Sequence, residues 1–332
     1  MQEFIKKLAQ KEHLSSEEAK NALLTIGKGE SNDSLSAALM MAYVMRAITA
    51  EELDGFRNAM LELCVKIDLG IENHIDLCGT GGDGKNTFNI STCSSFVVAA
   101  YGIPVTKHGN YGVSSAVGSS NVMEFLGYKF SNSQEQLKNE LAESNITFLH
   151  APLFHPAMKH VAPIRKNLGI KTFFNLLGPL SNPAQPTYQF TGVYHPDILP
   201  LYNYVLSKNT KNHNIVHAVD VFDEVSLTCP FYLVGKMHNE LIQPQDLNLP
   251  QIALSKISSG NDLQSSGEIL VKILQGKGTK EQNNVVAVNA GIAIHTATNL
   301  SLNQSITEAL EIIQSGKAYQ NLQNLIRCNQ QQ

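Results

Sequence analysis

Residues 76–92 read Asp76-Leu-Cys-Gly-Thr-Gly-Gly-Asp-Gly-Lys-Asn-Thr-Phe-Asn-Ile-Ser-Thr92. The order predicts a short strand, a glycine-rich turn and the start of a helix. Gly79, Gly81, Gly82 and Gly84 permit positive φ and let the backbone come close to a ligand. Such a turn presents N–H groups to an anion, and the helix N-terminus behind it adds a favourable dipole. The expected ligand is a phosphate or a diphosphate. A loop that only turned the chain would not need four glycines, two hydroxyls and a lysine.

Two familiar fingerprints fit this turn by letters. Gly79-x-Gly81-x-x-Gly84 matches the dinucleotide pattern, which needs an acid about 20 residues later for a ribose hydroxyl. The next predicted strand instead ends in Lys107 and His108, which suits phosphate. Gly79-xxxx-Gly84-Lys85 resembles a Walker A loop, but Asn86 stands where Ser or Thr should bind Mg²⁺. The helix should also begin there, whereas Thr87-Phe88-Asn89-Ile90 alternates polar and apolar, with Ser91 or Thr92 the expected N-cap.

A chain of 332 residues, 43% of them hydrophobic, is long enough for one large or two modest cores. It has no apolar run long enough to span a membrane, and Met1-Gln-Glu-Phe-Ile-Lys-Lys7 lacks the apolar core of a signal peptide. The net charge of −4 argues against broad nucleic-acid binding. Cys64, Cys78, Cys93, Cys229 and Cys328 are scattered and odd in number, as expected of reduced cytoplasmic thiols. Gln330-Gln331-Gln332 is expected to fray.

Residues 1–66 read as helices alone. Ser15-x-x-Glu18 and Thr49-x-x-Glu52 are capping-box signatures, and Leu35, Ala38, Leu39, Ala42 and Met45 recur at helical spacing. From residue 74 strands alternate with helices. Strands are predicted near 74–78, 103–107, 146–150, 187–194, 214–219 and 231–236. Helices are predicted near 91–101, 118–126, 134–144, 156–168, 197–207, 263–275, 280–297 and 303–315. The pattern predicts an α/β fold with a mixed, largely parallel sheet flanked by helices, and a smaller all-helical domain. The helical domain is expected over 1–66 plus about 160–183, a Pro- and Gly-rich stretch that crosses back. The α/β domain takes 74–159 plus 184–332.

Three further constellations carry chemistry. Lys107-His-Gly-Asn-Tyr-Gly-Val-Ser-Ser115 with Gly118-Ser-Ser-Asn121 follows the second strand, where α/β ligands bind outside the carboxyl ends. It reads as a polar loop or as a second anion-binding wall with Lys107, Ser115, Ser119 and Ser120 as donors. His150-Ala-Pro-Leu-Phe-His155 is followed by Arg165, a solvated helix charge or a carboxylate clamp, and then by Phe174-Asn-Leu-Leu-Gly-Pro-Leu-Ser-Asn-Pro183. Asp220-Val-Phe-Asp223-Glu224 reads as a solvated acidic turn or, beside a diphosphate, as Mg²⁺ ligands.

Taken in order, Gly79-Thr-Gly-Gly-Asp83 with Asn89-Ile-Ser-Thr92, Lys107-His-Gly-Asn110, His155-Pro with Arg165, Asn175-Leu-Leu-Gly-Pro-Leu180 and Asp223-Glu224 resemble the motif set of the anthranilate phosphoribosyltransferase family. The resemblance covers nearly the whole chain. It implies a helical plus an α/β domain, a fold shared with pyrimidine nucleoside phosphorylases, and a homodimer joined through the helical domains. The implied reaction joins anthranilate to 5-phosphoribosyl-1-diphosphate (PRPP), releasing diphosphate, in tryptophan biosynthesis. By resemblance, Gly79, Gly82, Asp83, Thr87, Asn89, Ser91, Thr92, Lys107 and Ser119 hold PRPP. Asn110, Arg165, His108 and His155 line the anthranilate route, and Ser91, Asp223 and Glu224 hold Mg²⁺, two ions per subunit. No residue is assigned as acid or base, and neither nucleic acid nor membrane is implied as a partner.

Two departures stand out. The family's usual Lys-His-Gly-Asn-Arg has Tyr111 here, and its Gly-Ser-Ala-Asp has Asn121. One loses a cation and the other an anion, so the two could form a compensated pair. The loop 108–118 is expected to order with substrates. A pyrimidine nucleoside phosphorylase should lack the acids 223–224. A nucleic-acid-binding relative should have a basic groove and lack Asn110 and Arg165, and a structural protein would not need the phosphate loop.

Overall fold

The computed structural model describes residues 1–82, 84–112, 117–260 and 262–331. Asp83, in the glycine turn, and Ser115, in the second wall, lie outside the described residues. The chain opens with four helices: α1 (Gln2–Ala9), α2 (Ser16–Gly27), α3 (Asp33–Met45) and α4 (Ala50–Leu63). The capping boxes form where the sequence places them. Ser15 and Thr49 accept from the backbone N–H groups of Glu18 and Glu52, whose carboxylates accept in return.

Strand and helix then alternate through β1 (Ile75–Gly79), α5 (Ile90–Tyr101), β2 (Val105–Gly109), α6 (Ser119–Phe125), α7 (Gln134–Ser144) and β3 (Ile146–His150). Next come the short α8 (Ala151–Phe154), α9 (Met158–Leu168), β4 (Tyr188–Gly192), α10 (Ile198–Asn209) and β5 (Asn212–Ala218). A hairpin of β6 (Phe231–Gly235) and β7 (Asn239–Ile242) precedes α11 (Leu263–Leu274), α12 (Lys280–Ala297), α13 (Leu302–Ser315) and α14 (Lys317–Gln330). The sheet runs β3-β2-β1-β4-β5-β6-β7. Its first five strands are parallel, and β6 and β7 are antiparallel.

Period-2 alternation sends the two faces of the sheet into different cores. Val216 and Phe190 join the large core under α5, α12 and α13, whereas Ile215 and Val234 join a second core. That second core also holds Leu23, Leu39 and Phe56 of the N-terminal helices, Val161 and Ile164 of α9, and Phe173, Phe174 and Leu180. The segment after α9 thus lies between the helices and the sheet. Phe56 stacks on Phe173 with ring centroids 4.1 Å apart.

Besides the short α8, the structure adds β7 and α14, which the pattern does not predict. β7 is a four-residue edge strand with three exposed residues, so it has no alternating apolar face. α14 places Ala318, Leu322, Leu325 and Cys328 on its buried side, but its Asn and Gln content masks the stripe. Of the tail expected to fray, Gln330 is the last residue of that helix and Gln332 lies outside the described residues. The second strand begins at Val105, two residues later than expected, because Pro104 at its head lacks an N–H for the ladder.

α14 is tied down through a buried acid. Glu140 of α7 accepts from the Tyr128 hydroxyl at 2.7 Å, Thr147 Oγ1 at 2.6 Å and Asn329 Nδ2 at 2.9 Å. Burial raises its carboxyl above the ordinary range, and these donors oppose that rise. Glu140→Ala would orphan three buried donors and is expected to lower unfolding stability by about 3 kcal/mol. Denaturant titration checks this, and a loss under about 1 kcal/mol would contradict the role given to Glu140.

Candidate functional site

The carboxyl ends of the parallel strands gather the site. β1 ends at Gly79, and the chain leaves through Gly81, Gly82 and Gly84 at φ of 65°, 81° and 70°. Its far end is zipped to the segment after β7. Thr87 bridges Ser258, and the Phe88 N–H donates to Ile257 O at 3.1 Å. The N-cap of α5 is Asn89, not Ser91 or Thr92. Phe88 and Ile90 are buried, so the alternating stretch feeds straight into the helix.

The donors of this turn are engaged by two acids from the loop after β5. Asp223 Oδ2 accepts the Gly81 N–H at 2.6 Å, and Glu224 Oε1 accepts the Ser91 N–H in the first turn of α5 at 2.9 Å. The anion-receptive backbone read from the glycines therefore already faces carboxylates. Asp223 comes this close because Gly79 and Gly192 lack Cβ atoms. A Cβ at Gly192 would coincide with the Asp223 carbonyl, and one at Gly79 would strike its carboxylate. On the far side Asn289 of α12 pairs with Val225, accepting its N–H at 3.1 Å and donating to its carbonyl at 2.9 Å. Val221 turns the loop at φ 77°.

Gly192 and Asn289 were not singled out from the sequence. A polar residue amid the apolar run of α12 is a readable signal. Gly192 has none, because the clash it avoids is with a loop 31 residues away.

Lys107 lies beneath the turn, 2% exposed, donating to the Leu77 carbonyl and to Ser91 Oγ. Asp76 is fully buried nearby. It accepts the His108 N–H at 3.1 Å and Asn182 Nδ2 at 2.9 Å. Burial raises the Asp76 carboxyl, against the pull of the Lys107 charge. Thr92 Oγ1 and Asn89 Oδ1 are buried without a protein partner among the described residues. Ser119 begins α6, and its hydroxyl reaches the Asn110 carbonyl at 3.4 Å. Lys171, also not singled out, donates to the Gly82 carbonyl and lies 4.2 Å over the Tyr194 ring.

A second group of candidates is held by the segment after α9. His108 and His155 are buried, with ring centroids 5.2 Å apart. His108 Nδ1 lies 3.0 Å from the Gly178 carbonyl, so it carries the proton and leaves Nε2 as an acceptor. Arg165 donates to Asn175 Oδ1 at 3.3 Å and lies over Phe174. Asn110, exposed at the end of β2, links the two groups through Ser119.

A glycine turn at a helix N-terminus, with two carboxylates on its amides and two buried histidines near it, is the kind of arrangement by which α/β proteins hold phosphorylated sugars or nucleotides outside the carboxyl ends of their strands. The glycosyl transferase family, α/β domain, matches residues 72–319, and its helical bundle domain matches residues 2–64. An anthranilate phosphoribosyltransferase of Christiangramia forsetii is 48% identical over 330 residues, covering 99% of this chain and 100% of its own length. The crystal structure of the Thermus thermophilus anthranilate phosphoribosyltransferase superposes with a TM-score of 0.93 at 31% identity, over 98% of this chain and 99% of that one. The Saccharomyces cerevisiae enzyme in complex with PRPP and Mg gives 0.91 at 28%, over 99% and 98%. The chain belongs to this glycosyl transferase family and, within it, to the anthranilate phosphoribosyltransferases.

Gly192→Ala should push the acidic loop off the turn and lower turnover at least tenfold while the sheet stays folded. Near-normal turnover would show that the close approach is not needed. Burial holds His108 at about 3 and His74, His155 and His213 at about 4. The unfolded value is about 6.5, so below it the unfolded chain binds more protons and stability falls as pH falls toward the folded values. At pH 5 the loss is on the order of 2 kcal/mol per histidine, opposed by the raised Asp76 and Glu140. The thermal midpoint should drop between pH 7 and 5, and less steeply in His155→Gln. Parallel slopes in the two proteins would contradict this.

Proposed function

We infer that the chain transfers the 5-phosphoribosyl group of PRPP to the amine of anthranilate, giving N-(5-phosphoribosyl)anthranilate and diphosphate in tryptophan biosynthesis. One observation carries the reading. The acids that a diphosphate donor needs for its metal are bonded directly to the amides of the turn that would hold its phosphates.

The chemistry follows from that arrangement. The amine of anthranilate is a weak nucleophile, because its lone pair is delocalised into the ring. Rate therefore comes from stabilising the leaving group and from positioning. As the bond from the ribose carbon to the diphosphate oxygen breaks, charge grows on the diphosphate. It meets the amides of Gly81 and Ser91, the N-terminus of α5 and the Lys107 ammonium below. Gly79, Gly82, Asp83, Thr87, Asn89, Ser91, Thr92, Lys107 and Ser119 form the PRPP site. The orphaned Asn89 Oδ1 and Thr92 Oγ1 support it.

Asp223, Glu224 and Ser91 offer hard oxygens and fit Mg²⁺, two ions per subunit. Among the described residues no cluster of three His, Cys, Asp or Glu could hold a metal alone. Mg²⁺ takes one or two carboxylates together with waters and substrate phosphates. When bound, Mg²⁺ supplies positive charge to the departing diphosphate. Carboxylates turned toward the metal would leave the amides of Gly81 and Ser91 to phosphate oxygens. Arg165 and Asn110 are the donors for the acceptor's carboxylate, and neutral His108 and His155 form its wall. The neutral amine attacks as it is, so no general base is assigned, and the proton it sheds after attack passes to water or to the departing diphosphate.

The same reading divides the chain into a helical unit, 1–66 with 160–183, and an α/β unit, 74–159 with 184–332. It joins two copies through the helical unit, where Met45 is 81% and Val44 41% exposed. It places the protein in the cytoplasm, in keeping with five free thiols. No helix among the described residues is long and apolar enough to cross a membrane.

The chain contains no Trp, so anthranilate fluorescence can be followed directly. Mixing with PRPP and Mg²⁺ should quench it with equal release of diphosphate, EDTA should stop the reaction, and Asp223→Asn with Glu224→Gln should slow it at least a hundredfold. Folded, dimeric protein that leaves the fluorescence unchanged would refute the transferase reading. A light-scattering mass of one chain would refute the dimer.

A further inference from the structure

Tyr111 stands where the family's usual motif has a cation, and two different elements hold its side chain. Its hydroxyl donates to Glu124 Oε1 of α6 at 2.8 Å. Its ring meets His150 at the end of β3 edge-on, with centroids 4.8 Å apart. His150 is itself fixed, with Nδ1 3.0 Å from Ser120 Oγ and its ring stacked on Phe130 at 4.4 Å. At 41% exposed, Tyr111 fills no core. The bond to Glu124 raises its pKa, so the hydroxyl stays a donor at neutral pH.

Tyr111 and Asn121, which together lose one cation and one anion from the family's usual motifs, make no direct bond with each other's side chain and have separate partners. Asn121 Oδ1 accepts the N–H groups of Gly112 at 3.3 Å and Gly118 at 3.0 Å, while Tyr111 goes to Glu124.

The neighbouring peptide is fixed as well. The Asn110 carbonyl accepts from the Ser120 N–H and from Ser119 Oγ, each at 3.4 Å. Asn110 Oδ1 accepts the Tyr111 N–H at 2.8 Å. With its oxygen on the Tyr111 N–H, the Asn110 amide leaves its NH₂ end as a donor suited to a carboxylate.

We propose that Tyr111 is a positioning residue for the acceptor substrate. Anchored on Glu124 and His150, it holds the Asn110–Tyr111 peptide so that the NH₂ of Asn110 is aimed at the carboxylate of the aromatic amine. The proposal rests on the transferase reading above. A hydroxyl-to-carboxylate bond replaces a fixed cation here, so Tyr111 orients the acceptor without adding positive charge beside it.

The test uses the full chain and four variants. Tyr111→Phe removes the hydroxyl and keeps the ring on His150. It should raise the anthranilate KM roughly three- to tenfold, with kcat and the PRPP KM within about twofold and the melting temperature unchanged. Glu124→Ala should reproduce this, Glu124→Gln, which keeps an acceptor oxygen, should restore the wild-type value, and the double variant Tyr111→Phe with Glu124→Ala should be no worse than either single change. Hydrogen exchange over residues 109–112 should quicken in Tyr111→Phe and Glu124→Ala but not in Glu124→Gln. An unchanged anthranilate KM and unchanged exchange would overturn the proposal, as would equal rises in both KM values. Wild-type protein without turnover would overturn the transferase reading, and the exchange measurement would still decide whether Tyr111 anchors the peptide.

Discussion

The bonds from Asp223 and Glu224 to the amides of Gly81 and Ser91 join parts of the chain that are otherwise unconnected. The turn after β1 and the first turn of α5 each leave N–H groups without a helical partner. The loop after β5 supplies two carboxylates to them. This requires glycine at 79 and 192, where any side chain would fill the space of Asp223. It also requires Asn289, which fixes Val225 from a helix on the other side. In the function proposed above, the same carboxylates would serve the amides or a metal, so metal and phosphate binding would be coupled through them.

A second constraint lies below. Asp76 and Lys107 put opposite charges into the buried centre of the parallel sheet, where an uncompensated charge is costly. Asn182 bonds Asp76 and also donates to the Thr106 carbonyl at 2.8 Å. The Gly-Pro-Leu-Ser-Asn stretch is therefore tied to the floor of the site, while Gly178 of the same stretch sets the tautomer of His108. Burial keeps the histidines neutral, which suits a wall for an aromatic ring beside cationic donors.

Much of the fold was legible because its signals are local. The capping boxes at Ser15 and Thr49 formed as read, and most predicted strands and helices lie within two or three residues of their places. β7 was missed because an exposed edge strand has no buried face to impose alternation. α14 was missed because its apolar positions are thinly spread among amides. The motifs marked segments that the fold gathers at the carboxyl ends of the parallel strands, but not the contacts that each side chain makes there. That Lys107 is buried under the turn, bonded to Leu77 and Ser91, could not be read from the motif. Nor could the separate partners of Tyr111 and Asn121 be read from the sequence.

The sequence by itself determined the glycine turn, the alternation of strand and helix, the helical N-terminal segment and the family, because each depends on residues close together or on motifs in order. Tertiary structure alone decided that Gly192 must admit Asp223, that Asn289 must hold Val225, and that Tyr111 turns to Glu124. These are contacts between segments far apart in the chain, fixed by strand order and by the space between packed elements. No local pattern encodes a clash or a hydrogen bond with a partner that only folding brings near.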